Sequence, residues 1–548
     1  MSAADSSSSH VLLRGTKRYH RAGAVVLGRS DRMERCEITV KVRRQKKLPE
    51  PNPDKPIGLE ELSKEFGANS ADLDKVEKTL TPYGLVVISK NARIRAVKLA
   101  GPASAMEKAF GINLFRVKHE DTIYRGRVGD LYIPKQLDGI VTGIFGLDTR
   151  RMTKRRRPLR MQAADTVPPP NQRSWYFPQE LANAYGFPPA DGDGQTIGIL
   201  EFGGRYIASD LEKFWELSGL SGPVPDVKVR NVHALSPPES NEADAVAETM
   251  LDVEVAAGIC AKASIQVYFS TWTEQGWVDN LDSVLTDDTV PSVLSISYGL
   301  AEGADIWTQQ AMDHVNDSLK EFANAGITVC VSTGDDGSDD QVGDGRAHVS
   351  FPSCSDSVLA VGGTSLDKST RGEIAWFEGD GVRRDGGGST GGGVSEVIPR
   401  PSWQSQINIG SVNPNALVGR VLPDISANAA GGTGYFMVAQ GAAQVSGGTS
   451  AATPLWASFI ARVLQKGNKV GFLTPRLYAP TADTQGHPLG AVACGDVTQG
   501  SNASGTTEGY SATLGFDAAT GWGSPTAKLA DLLSSSITAA KIAVSSKV

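Results

Sequence analysis

The chain has 548 residues, of which 40% are hydrophobic and 21% charged, and its formal net charge is −7 at pH 7. This length supports a large buried core. No stretch is long and apolar enough to span a membrane, and residues 1–30 contain no continuous apolar core of signal-peptide length. The five cysteines are odd in number and lack paired metal-ligand spacing, so they do not require disulfides.

Charge divides the chain into two oppositely charged pieces. Residues 1–170 hold 33 Lys and Arg against 19 Asp and Glu, a net charge of +14, and residues 171–548 hold 21 against 42, a net charge of −21. A basic piece often marks nucleic-acid binding, but this one is tethered to an acidic partner of its own. We therefore favour an intramolecular clamp and expect neither a nucleic-acid nor a membrane partner.

Residues 1–150 have the pattern of a folded α+β domain with an antiparallel sheet and helices on one side, in which roughly the first 30 residues are flexible. Ser104 and Glu107 form a capping box ahead of a helix that Gly111 closes. The predicted strands are Cys36–Val42, Leu85–Ser89, Ile94–Leu99, Leu114–Val117 and Leu131–Ile133, and the other predicted helices are Leu59–Phe66 and Ala71–Leu80.

Residues 151–174 are predicted to be an exposed linker. The segment 151–172, RMTKRRRPLRMQAADTVPPPNQ, combines a basic run with three consecutive prolines. Such a segment is typical of a spacer or of an activation cleavage site.

Residues 175–548 alternate strand and helix, which predicts an α/β domain with a doubly wound, mostly parallel sheet. Glu201 lies at the end of the first strand of this domain. Loops around 378–395 and 429–447 are long surface turns suited to holding an extended peptide by strand-like pairing. The predicted strands are Thr196–Phe202, Ile265–Phe269, Ser292–Ser297 and Ile327–Val331, and the predicted helices are Ser209–Leu217 and Ala304–Ala325.

Residues 242–260 are predicted to form a helix that carries two acids on one face. Glu248 and Asp252 are four residues apart, roughly opposite an apolar stripe at helical spacing. Such a pair destabilises a solvated helix by a few tenths of a kcal/mol and a buried helix by more. The pair therefore faces water or takes part in chemistry, and the helix alone favours a solvated acidic face. The stripe consists of Val246, Met250, Val253 and Ala257.

A second acidic position follows the buried strand Ile327–Val331. That strand runs into Gly334-Asp335-Asp336-Gly337, at the edge of the sheet where open α/β folds build their sites. A catalytic acid, an Asp-Gly turn and an acidic metal-binding loop all fit this pattern.

Residues 446–454, SGGTSAATP, lead directly into an apolar segment that begins at Leu455. The glycines permit a tight turn, Pro454 is expected in the first turn of a helix, and the helix directs its free N–H groups at Ser450. A hydroxyl there meets a positive dipole end suited to an anionic tetrahedral intermediate. A glycine turn that only caps a buried helix fits the motif equally well.

The same tetrapeptide, Gly-Gly-Thr-Ser, also occurs at residues 362–365, so it is not specific by itself. The polar, glycine-terminated segment after Ser365 cannot begin a buried helix, which places Ser365 at the end of the strand Val358–Val361. Ser450 remains the candidate nucleophile.

A serine hydroxyl needs a base to take its proton. None of His233, His314, His348 and His487 lies in a glycine-rich strand-to-helix turn, so the carboxylates are the better candidates. One alternative is a neutral-pH hydrolase that uses His314 or His348 as its base. The other alternative is a catalytically silent binding protein.

Three motifs in order resemble the sedolisins, the serine-carboxyl peptidases, and most closely their kumamolisin-like branch. They are Glu248-Thr-Met-Leu-Asp252, Ser-Thr-Gly-Asp335 and Gly-Gly-Thr-Ser450-Ala-Ala-Thr-Pro. The similarity extends over essentially the whole chain. It continues through Ile197–Gly204, Ser292–Gly299 and Ser389–Ser395.

The resemblance implies a subtilisin-like catalytic domain preceded by an activation prodomain that inhibits it and assists its folding. Ser450 is the implied nucleophile, Glu248 its general base and Asp252 the acid that orients Glu248. Asp335 is implied in the oxyanion hole, and Glu201 extends the carboxylate network. Tyr298 stands where a tryptophan is expected in close relatives, which is a departure in the packing around these acids.

The implied chemistry predicts a pH range. A carboxylic acid donates a hydrogen bond to an oxyanion only while it is protonated, and a model aspartate titrates near pH 4. Glu248 must meanwhile be ionised to accept the Ser450 proton. We therefore expect peptide hydrolysis to peak at roughly pH 3 to 5 and to fade toward neutrality.

The resemblance further implies one structural Ca²⁺ ion near the C-terminus. Its oxygen ligands are the carboxylates of Asp496 and Asp517 and the carbonyls of Val497, Thr513 and Gly515. Without the resemblance these are turn residues.

By similarity of Tyr176-Phe-Pro to a relative's mature N-terminus, we expect the activation cut near residues 163–173. Acid is expected to protonate carboxylates between the two domains, to weaken the clamp and to start a largely self-catalysed maturation. The family role also implies secretion, protein or peptide substrates and a monomer.

Overall fold

The structure is a computed structural model. It describes residues 9–152, 161–162, 168–235, 237–303, 305–383, 387–416, 418–465, 467 and 470–534.

The N-terminal domain is built from antiparallel strands and short helices, as predicted. Its strands are β1 (His10–Arg18), β2 (Val25–Arg29), β3 (Arg35–Val42), β4 (Val86–Asn91), β5 (Ala96–Pro102), β6 (Phe115–His119), β7 (Thr122–Gly126), β8 (Gly129–Pro134) and β9 (Val141–Phe145). Its helices are α1 (Leu59–Phe66), α2 (Ser70–Leu80) and α3 (Ala103–Phe110). The main sheet has the order β4-β5-β3-β9, with smaller sheets β2-β6-β7 and β1-β8.

Two expectations for this domain are wrong. Residues 10–29 are not a flexible segment, because β1 pairs with β8 and β2 with β6. Ser104 is not an N-cap, because α3 begins one residue earlier, after Pro102. Glu107 instead accepts a hydrogen bond from the backbone N–H of Leu114 at 2.9 Å. Gly111 closes α3 as predicted, in the left-handed region at φ 61°.

The catalytic domain follows a short strand, β10 (Met161–Gln162), in the linker. Its helices are α4 (Pro178–Ala184), α5 (Ala208–Leu217), α6 (Pro237–Ser240), α7 (Ala243–Ile259), α8 (Glu274–Leu285), α9 (Gln309–Asn324), α10 (Thr449–Gln465), α11 (Thr474–Tyr478) and α12 (Leu489–Ala493). Its strands are β11 (Thr196–Phe202), β12 (Val227–Asn231), β13 (Ser264–Ser270), β14 (Val293–Ile296), β15 (Leu300–Ala301), β16 (Thr328–Ser332), β17 (Ser350–Phe351), β18 (Leu359–Leu366), β19 (Glu373–Ala375), β20 (Phe377–Glu378), β21 (Gly388–Ser389), β22 (Gly393–Pro399), β23 (Gly419–Leu422), β24 (Ile425–Asn428), β25 (Tyr435–Ala439) and β26 (Ala442–Ser446).

The main sheet has the order β12-β13-β11-β14-β16-β18-β19, with β24 also paired to β18. All of these pairs are parallel except β18 with β19. Side chains alternate between the two faces of each strand. Ile197 and Ile199 of β11 therefore join the core beneath α7 and α10, whereas Leu200 and Phe202 join the core beneath α8 and α9. The doubly wound prediction is confirmed.

Helix α7 differs from its prediction. Every residue from Ala245 to Ile259 is buried, including both acids, so the helix has no solvated acidic face. Its neighbours α4, α5, α10, β11 and β25 surround it. The acids therefore lie inside the protein.

Two helix boundaries also differ. Helix α9 begins at Gln309 and not at residue 304, because the Thr308 side chain caps it by accepting from the Ala311 N–H. Pro454 lies inside α10 and not in its first turn. Ser365 lies within β18 and not at the end of a shorter strand, but it does not begin a helix, as predicted.

The N-terminal domain docks on α8 and α9 through buried ion pairs. Successive residues of β3 face opposite ways, so Ile38 and Val40 enter the core of their own domain, whereas Thr39 and Lys41 face α8. Lys41 Nζ lies 2.7 Å from Asp282 Oδ2, and both side chains are buried. The opposite charges of the two pieces meet at this interface, in agreement with a clamp.

Further pairs extend this interface along both helices. Lys98 Nζ lies 2.9 Å from Asp279 Oδ2, and Arg44 Nη2 lies 2.8 Å from both Asp317 Oδ2 and Glu321 Oε2.

The linker is not a simple exposed spacer where it is described. Met152 is buried, and its carbonyl accepts a hydrogen bond from Trp277 Nε1 at 3.1 Å. The first five residues of the expected cleavage window, 163–173, lie outside the described residues.

All five cysteines are free thiols, and Cys330 is buried in β16. Within the described ranges, no helix combines the length and the apolar character needed to cross a membrane.

Candidate active site

Three neighbouring strands deliver polar side chains to the carboxyl edge of the main sheet. Glu201 is the penultimate residue of β11, Ser297 directly follows β14, and Asp335 comes shortly after β16. Glu201 and Ser297 have the same parity as Ile199 and Val293, which face α7 and α10. The strand period alone therefore directs Glu201 and Ser297 toward these helices.

Helices α7 and α10 pack against each other over this edge. Helix α7 supplies Glu248 and Asp252, and α10 supplies Ser450 one residue after its start. The exposed fractions of Glu201, Asp252 and Ser450 are 0%, and those of Glu248 and Asp335 are 3% and 1%. Buried acids need partners or shared protons, because isolated buried charge is costly.

Ser297 links α10, which carries Ser450, to α7, which carries Asp252. Its hydroxyl donates to Asp252 Oδ2 at 2.7 Å and lies 3.2 Å from the carbonyl oxygen of Ser450. That carbonyl has no intrahelical donor four residues on, because Pro454 has no N–H. Pro454 thus frees the Ser450 carbonyl for a contact with Ser297.

Glu201 accepts two hydrogen bonds at Oε2. Tyr298 Oη donates at 2.8 Å and Thr249 Oγ1 at 3.1 Å. Burial, and then the charge of Glu248, raise the pKa of Glu201 well above its usual range. Burial, and then Glu201, also raise the pKa of Tyr298 well above its usual range, so the phenol remains a donor. The tyrosine found in place of the expected tryptophan therefore provides a hydroxyl to this carboxyl group.

Glu248 lies in the same buried region, and one of its carboxylate oxygens can still accept a hydrogen bond. Its Oε1 atom is buried and has no hydrogen-bond partner among the described residues. The Ser450 hydroxyl donates to the carbonyl of Ser297 at 3.5 Å, a long contact. A catalytic hydrogen bond often shortens only when substrate binds.

Asp335 is fixed at the N-terminus of α10. Its Oδ1 atom accepts from the backbone N–H of Thr449 at 2.8 Å and from Thr449 Oγ1 at 2.7 Å. Its carbonyl accepts from the N–H of Ser389 at 2.9 Å. One carboxylate oxygen is therefore occupied by Thr449, and the other, Oδ2, contacts the guanidinium of Arg383 beside Gly448.

The histidines have other partners. His314 packs edge-on against Phe145 of the N-terminal domain, with ring centroids 5.5 Å apart. His348 Nε2 lies 2.8 Å from Asp344, and His233 lies 3.0 Å from Asp279. His314 and His348 are thus placed elsewhere in the fold and are poor candidates for a base.

Comparison with known proteins agrees with the fold and with the grouping of acids around Ser450. Residues 40–150 match the model of the pro-kumamolisin activation domain, and residues 221–522 match that of the subtilase family. Kumamolisin of Bacillus sp. (strain MN-32) is 36% identical over 89% of this chain and 87% of its own length. Sedolisin of Pseudomonas sp. (strain 101) is 30% identical over 84% of this chain and 78% of its own length.

A solved structure of Pseudomonas sedolisin, a serine-carboxyl proteinase complexed with two molecules of pseudo-iodotyrostatin, has a TM-score of 0.56 at 28% identity. The structural match covers 66% of this chain and 97% of the Pseudomonas sedolisin chain. The chain belongs to the sedolisin family. It is therefore a serine-type peptidase that carries an activation domain.

The chain has an extended segment beside the strand that leads to Ser450. In the linker, β10 pairs antiparallel with β26, with Met161 opposite Val445 and Gln162 opposite Gln444. Strand β26 ends at Ser446, four residues before Ser450. The predicted strand-like pairing in the 429–447 loop is thus made by the protein's own linker.

The proposed calcium ligands are brought together near the C-terminal end of the described chain. Asp496 Oδ2 accepts from the N–H of Gly515 at 2.9 Å, and Asp517 Oδ2 accepts from the N–H of Thr513 at 2.9 Å. Two carboxylates meeting one loop give the hard oxygen donors that calcium prefers, and carbonyls of the same loop can add to them. Within the described residues, no group of three or more His, Cys, Asp or Glu side chains is arranged to hold a metal ion.

Sequence reasoning missed several polar residues of the sedolisin site. Thr249, Ser297 and Thr449 lie inside the motifs that indicated the family, and each serves an acid or a backbone group named above. Their positions next to the motif acids were the available signal. No sequence motif indicated Arg383, because it lies in a loop without helical or strand periodicity.

The Tyr298 contact generates a first prediction. Tyr298→Phe removes the donor to a buried carboxyl group, which should lower the free energy of unfolding by about 1–3 kcal/mol. The measurement is the thermal unfolding midpoint of the Ser450→Ala precursor with and without the substitution. Tyr132→Phe is the matched control, because Tyr132 is 43% exposed. Equal midpoints for the two tyrosine variants would contradict a structural hydrogen bond at Tyr298.

Proposed function

We propose that this sedolisin is an acid-active serine-carboxyl endopeptidase that is made as a self-processing zymogen. Ser450 is the nucleophile and Glu248 its general base. Asp252 supports Glu248, Glu201 extends the acid network, and Asp335 donates a hydrogen bond to the oxyanion. The observation that carries this proposal is the burial of all five side chains at one edge of the sheet, at the N-terminus of α10.

The proposed reaction begins when Ser450 attacks the scissile carbonyl and Glu248 takes its proton. The elevated pKa of Glu201 keeps a proton in the cluster next to Glu248, so the buried acids need not all be ionised together. Asp252 is held by Ser297 and stabilises the protonated form of Glu248. The proton then passes from Glu248 to the leaving amine.

The negative charge on the tetrahedral intermediate sets the pH dependence. Thr449 occupies Oδ1 of Asp335, so a proton on Oδ2 is the one available for the oxyanion. Activity is then present while Asp335 is protonated and is lost as pH rises through its titration. This direction supports an acid optimum.

The N-terminal domain is proposed to inhibit the enzyme and to assist its folding, with the domain limits 1–150, 151–174 and 175–548. Support comes from its ion pairs with α8 and α9 and from the linker strand beside β26. The activation cut is proposed within residues 163–173. Secretion and action as a monomer on protein or peptide substrates are proposed from family membership.

Two of the interface carboxylates, Asp317 and Asp279, keep their charge in the pH range expected for activity. Burial raises the pKa of Asp317, but the charges of Arg95 and Arg44 outweigh it and lower the value to about 2. Burial also raises the pKa of Asp279, but the His233 hydrogen bond and the Lys98 charge outweigh it and lower the value to about 2. Their contribution to docking is present above pH of about 4 and is lost only as pH falls through about 2.

The pKa of His314 shifts in the direction that an acid trigger requires. Burial, and then the charges of Arg95 and Lys41, lower its pKa well below the usual range, although Asp317 opposes this. Its Nδ1 atom is buried without a hydrogen-bond partner among the described residues. Exposed after release, the ring would titrate near pH 6.5. Below that pH the released state binds an extra proton, so docking weakens by about 1.4 kcal/mol per pH unit until the docked pKa is reached.

The catalytic assignment predicts the effect of three substitutions on peptide hydrolysis at pH 4. Ser450→Ala should lower kcat by about 10⁶-fold, because the nucleophile is absent. Asp335→Ala should lower it by about 10²–10³-fold, because one oxyanion donor is absent. Ser365→Ala is the matched control and should leave kcat unchanged.

Self-processing gives an independent readout of the same assignment. The wild-type precursor at pH 4 should yield a shortened chain by mass spectrometry, and the Ser450→Ala precursor should remain at full length. An active Ser450→Ala variant, or wild-type activity that is highest at neutral pH, is incompatible with the proposed function.

The trigger assignment predicts that His314→Gln moves the midpoint of precursor processing to lower pH. The shift should be about half a pH unit or more, because the glutamine stays neutral and no longer weakens docking in acid. The midpoint is measured by the fraction of shortened chain after incubation at each pH. His348→Gln is the control, and a common midpoint for both variants would rule out His314 as the trigger.

We also propose that Asp496, Asp517 and the carbonyls of Val497, Thr513 and Gly515 hold one structural Ca²⁺ ion, so chelation should lower thermal stability. A calcium chelator should lower the unfolding midpoint of the wild-type protein, because an ion that binds only the folded state stabilises it. Asp517→Asn should start from the lower midpoint and no longer respond to the chelator, whereas the exposed Asp531→Asn control should respond like wild type. A wild-type midpoint that ignores the chelator would remove calcium from the proposal.

A further inference from the structure

Arg383 lies in a loop that folds back over the proposed oxyanion hole. The loop connects β20 to β21, which pair antiparallel, and β21 is anchored where the Ser389 N–H donates to the carbonyl of Asp335. The backbone N–H of Arg383 donates to Asp336 Oδ1 at 3.0 Å. The loop is therefore held against residues 335–336 at Arg383 itself and again at Ser389.

The Arg383 guanidinium forms a buried ion pair with Asp335. Its Nη2 atom contacts Asp335 Oδ2, and the two side chains are only 4% and 1% exposed. A buried arginine stays protonated, and its contact favours the ionised form of a carboxyl group. Because Thr449 already occupies Oδ1, the guanidinium meets the oxygen that must carry the proton.

The space beside Gly448 shows how close the ion pair lies to Ser450. A Cβ atom on Gly448 would lie 2.5 Å from Arg383 Nη2 and 2.7 Å from Asp335 Oδ2. Gly448 also has a φ of 109°, in the left-handed region that favours glycine. The second glycine of the Gly-Gly-Thr-Ser motif therefore leaves the space that the ion pair occupies, two residues before Ser450.

Among the residues that the structure describes, the other charged side chains around this loop are acidic. Asp336 and Asp340 lie on the same loop as Asp335, with Asp340 Oδ1 3.6 Å from where a Cβ on Gly334 would be. Glu378 lies at the start of the Arg383 loop and accepts from the N–H of Gly432 at 3.1 Å. Helix α10 presents Thr449 to Asp335. The acidic neighbours favour a proton on Asp335, and Arg383 opposes them.

We infer that Arg383 is a positioning residue that sets the pH at which the oxyanion hole forms. Its ion pair holds Asp335 ionised, so the donor form appears only when acid displaces the guanidinium from Oδ2. Arg383 thus confines activity to more acidic pH than the carboxyl cluster alone would require. This inference rests on the proposed role of Asp335 as an oxyanion donor.

The test is the pH profile of kcat/KM for processed enzyme on a peptide substrate. Removal of the guanidinium in Arg383→Gln should move the alkaline limb of the profile upward by about 1–3 pH units, the usual effect of one adjacent opposite charge. Arg383→Lys keeps the charge but not the planar fork, so its limb should lie between those of wild type and Arg383→Gln. Arg346→Gln is the matched control, because Arg346 pairs with Glu396 at a partly exposed site.

An unmoved limb, a limb that moves to lower pH, or a uniform loss of kcat/KM at every pH would overturn the inference. The last result would make Arg383 a structural group or a donor to the oxyanion itself. If Arg383→Gln does not fold, the Arg383→Lys profile decides, since an upward shift supports the inference and an unchanged limb refutes it. The proposed function has its own test. It fails if Asp335→Ala is as active as the wild-type enzyme at pH 4, whatever the Arg383 variants show.

Discussion

Several acids buried together within a small region are the constraint on which the rest of this site depends. Glu201, Glu248 and Asp252 are at most 3% exposed, and they come from β11 and α7. In a medium of low polarity, three adjacent negative charges would repel one another strongly, so the group must hold protons or find donors. Tyr298, Thr249 and Ser297 supply donors, and the elevated pKa of Glu201 supplies a retained proton. Burial of these acids thus accounts for the shared proton that the proposed mechanism requires.

Sequence patterns were sufficient for the architecture and insufficient for the surroundings of each acid. The strand β11 and the helix α1 were predicted with the bounds that the structure has, because each is a periodic segment with clear ends. The acidic face of α7 was interpreted wrongly as solvated. Periodicity describes one helix and does not reveal that α4, α5, α10 and β25 cover its remaining sides.

The same limit applies to the candidate site. The motifs placed Ser450, Glu248, Asp252, Asp335 and Glu201 on elements that converge, but a motif does not say which atoms meet. Ser297 contacts Asp252, and it also reaches the Ser450 carbonyl because Pro454 leaves that carbonyl without a helical donor. These contacts join three elements. Arg383 reaches Asp335 from a loop without periodicity. Such contacts depend on tertiary packing and could not be read from spacing.

Helix α7 also connects the acids to the hairpin formed by β25 and β26. Glu254, two residues after Asp252, is fully buried and accepts from the N–H of Val438 in β25 at 2.8 Å. Asp210 of α5 accepts from the N–H groups of Gln440 and Gly441 at the tip of the same hairpin. Strand β26 pairs with the linker and leads to Ser450, and α7 contacts this hairpin while carrying Glu248 and Asp252. In the proposed mechanism, a shift of this helix would therefore move the general base and the strand that leads to the nucleophile at the same time.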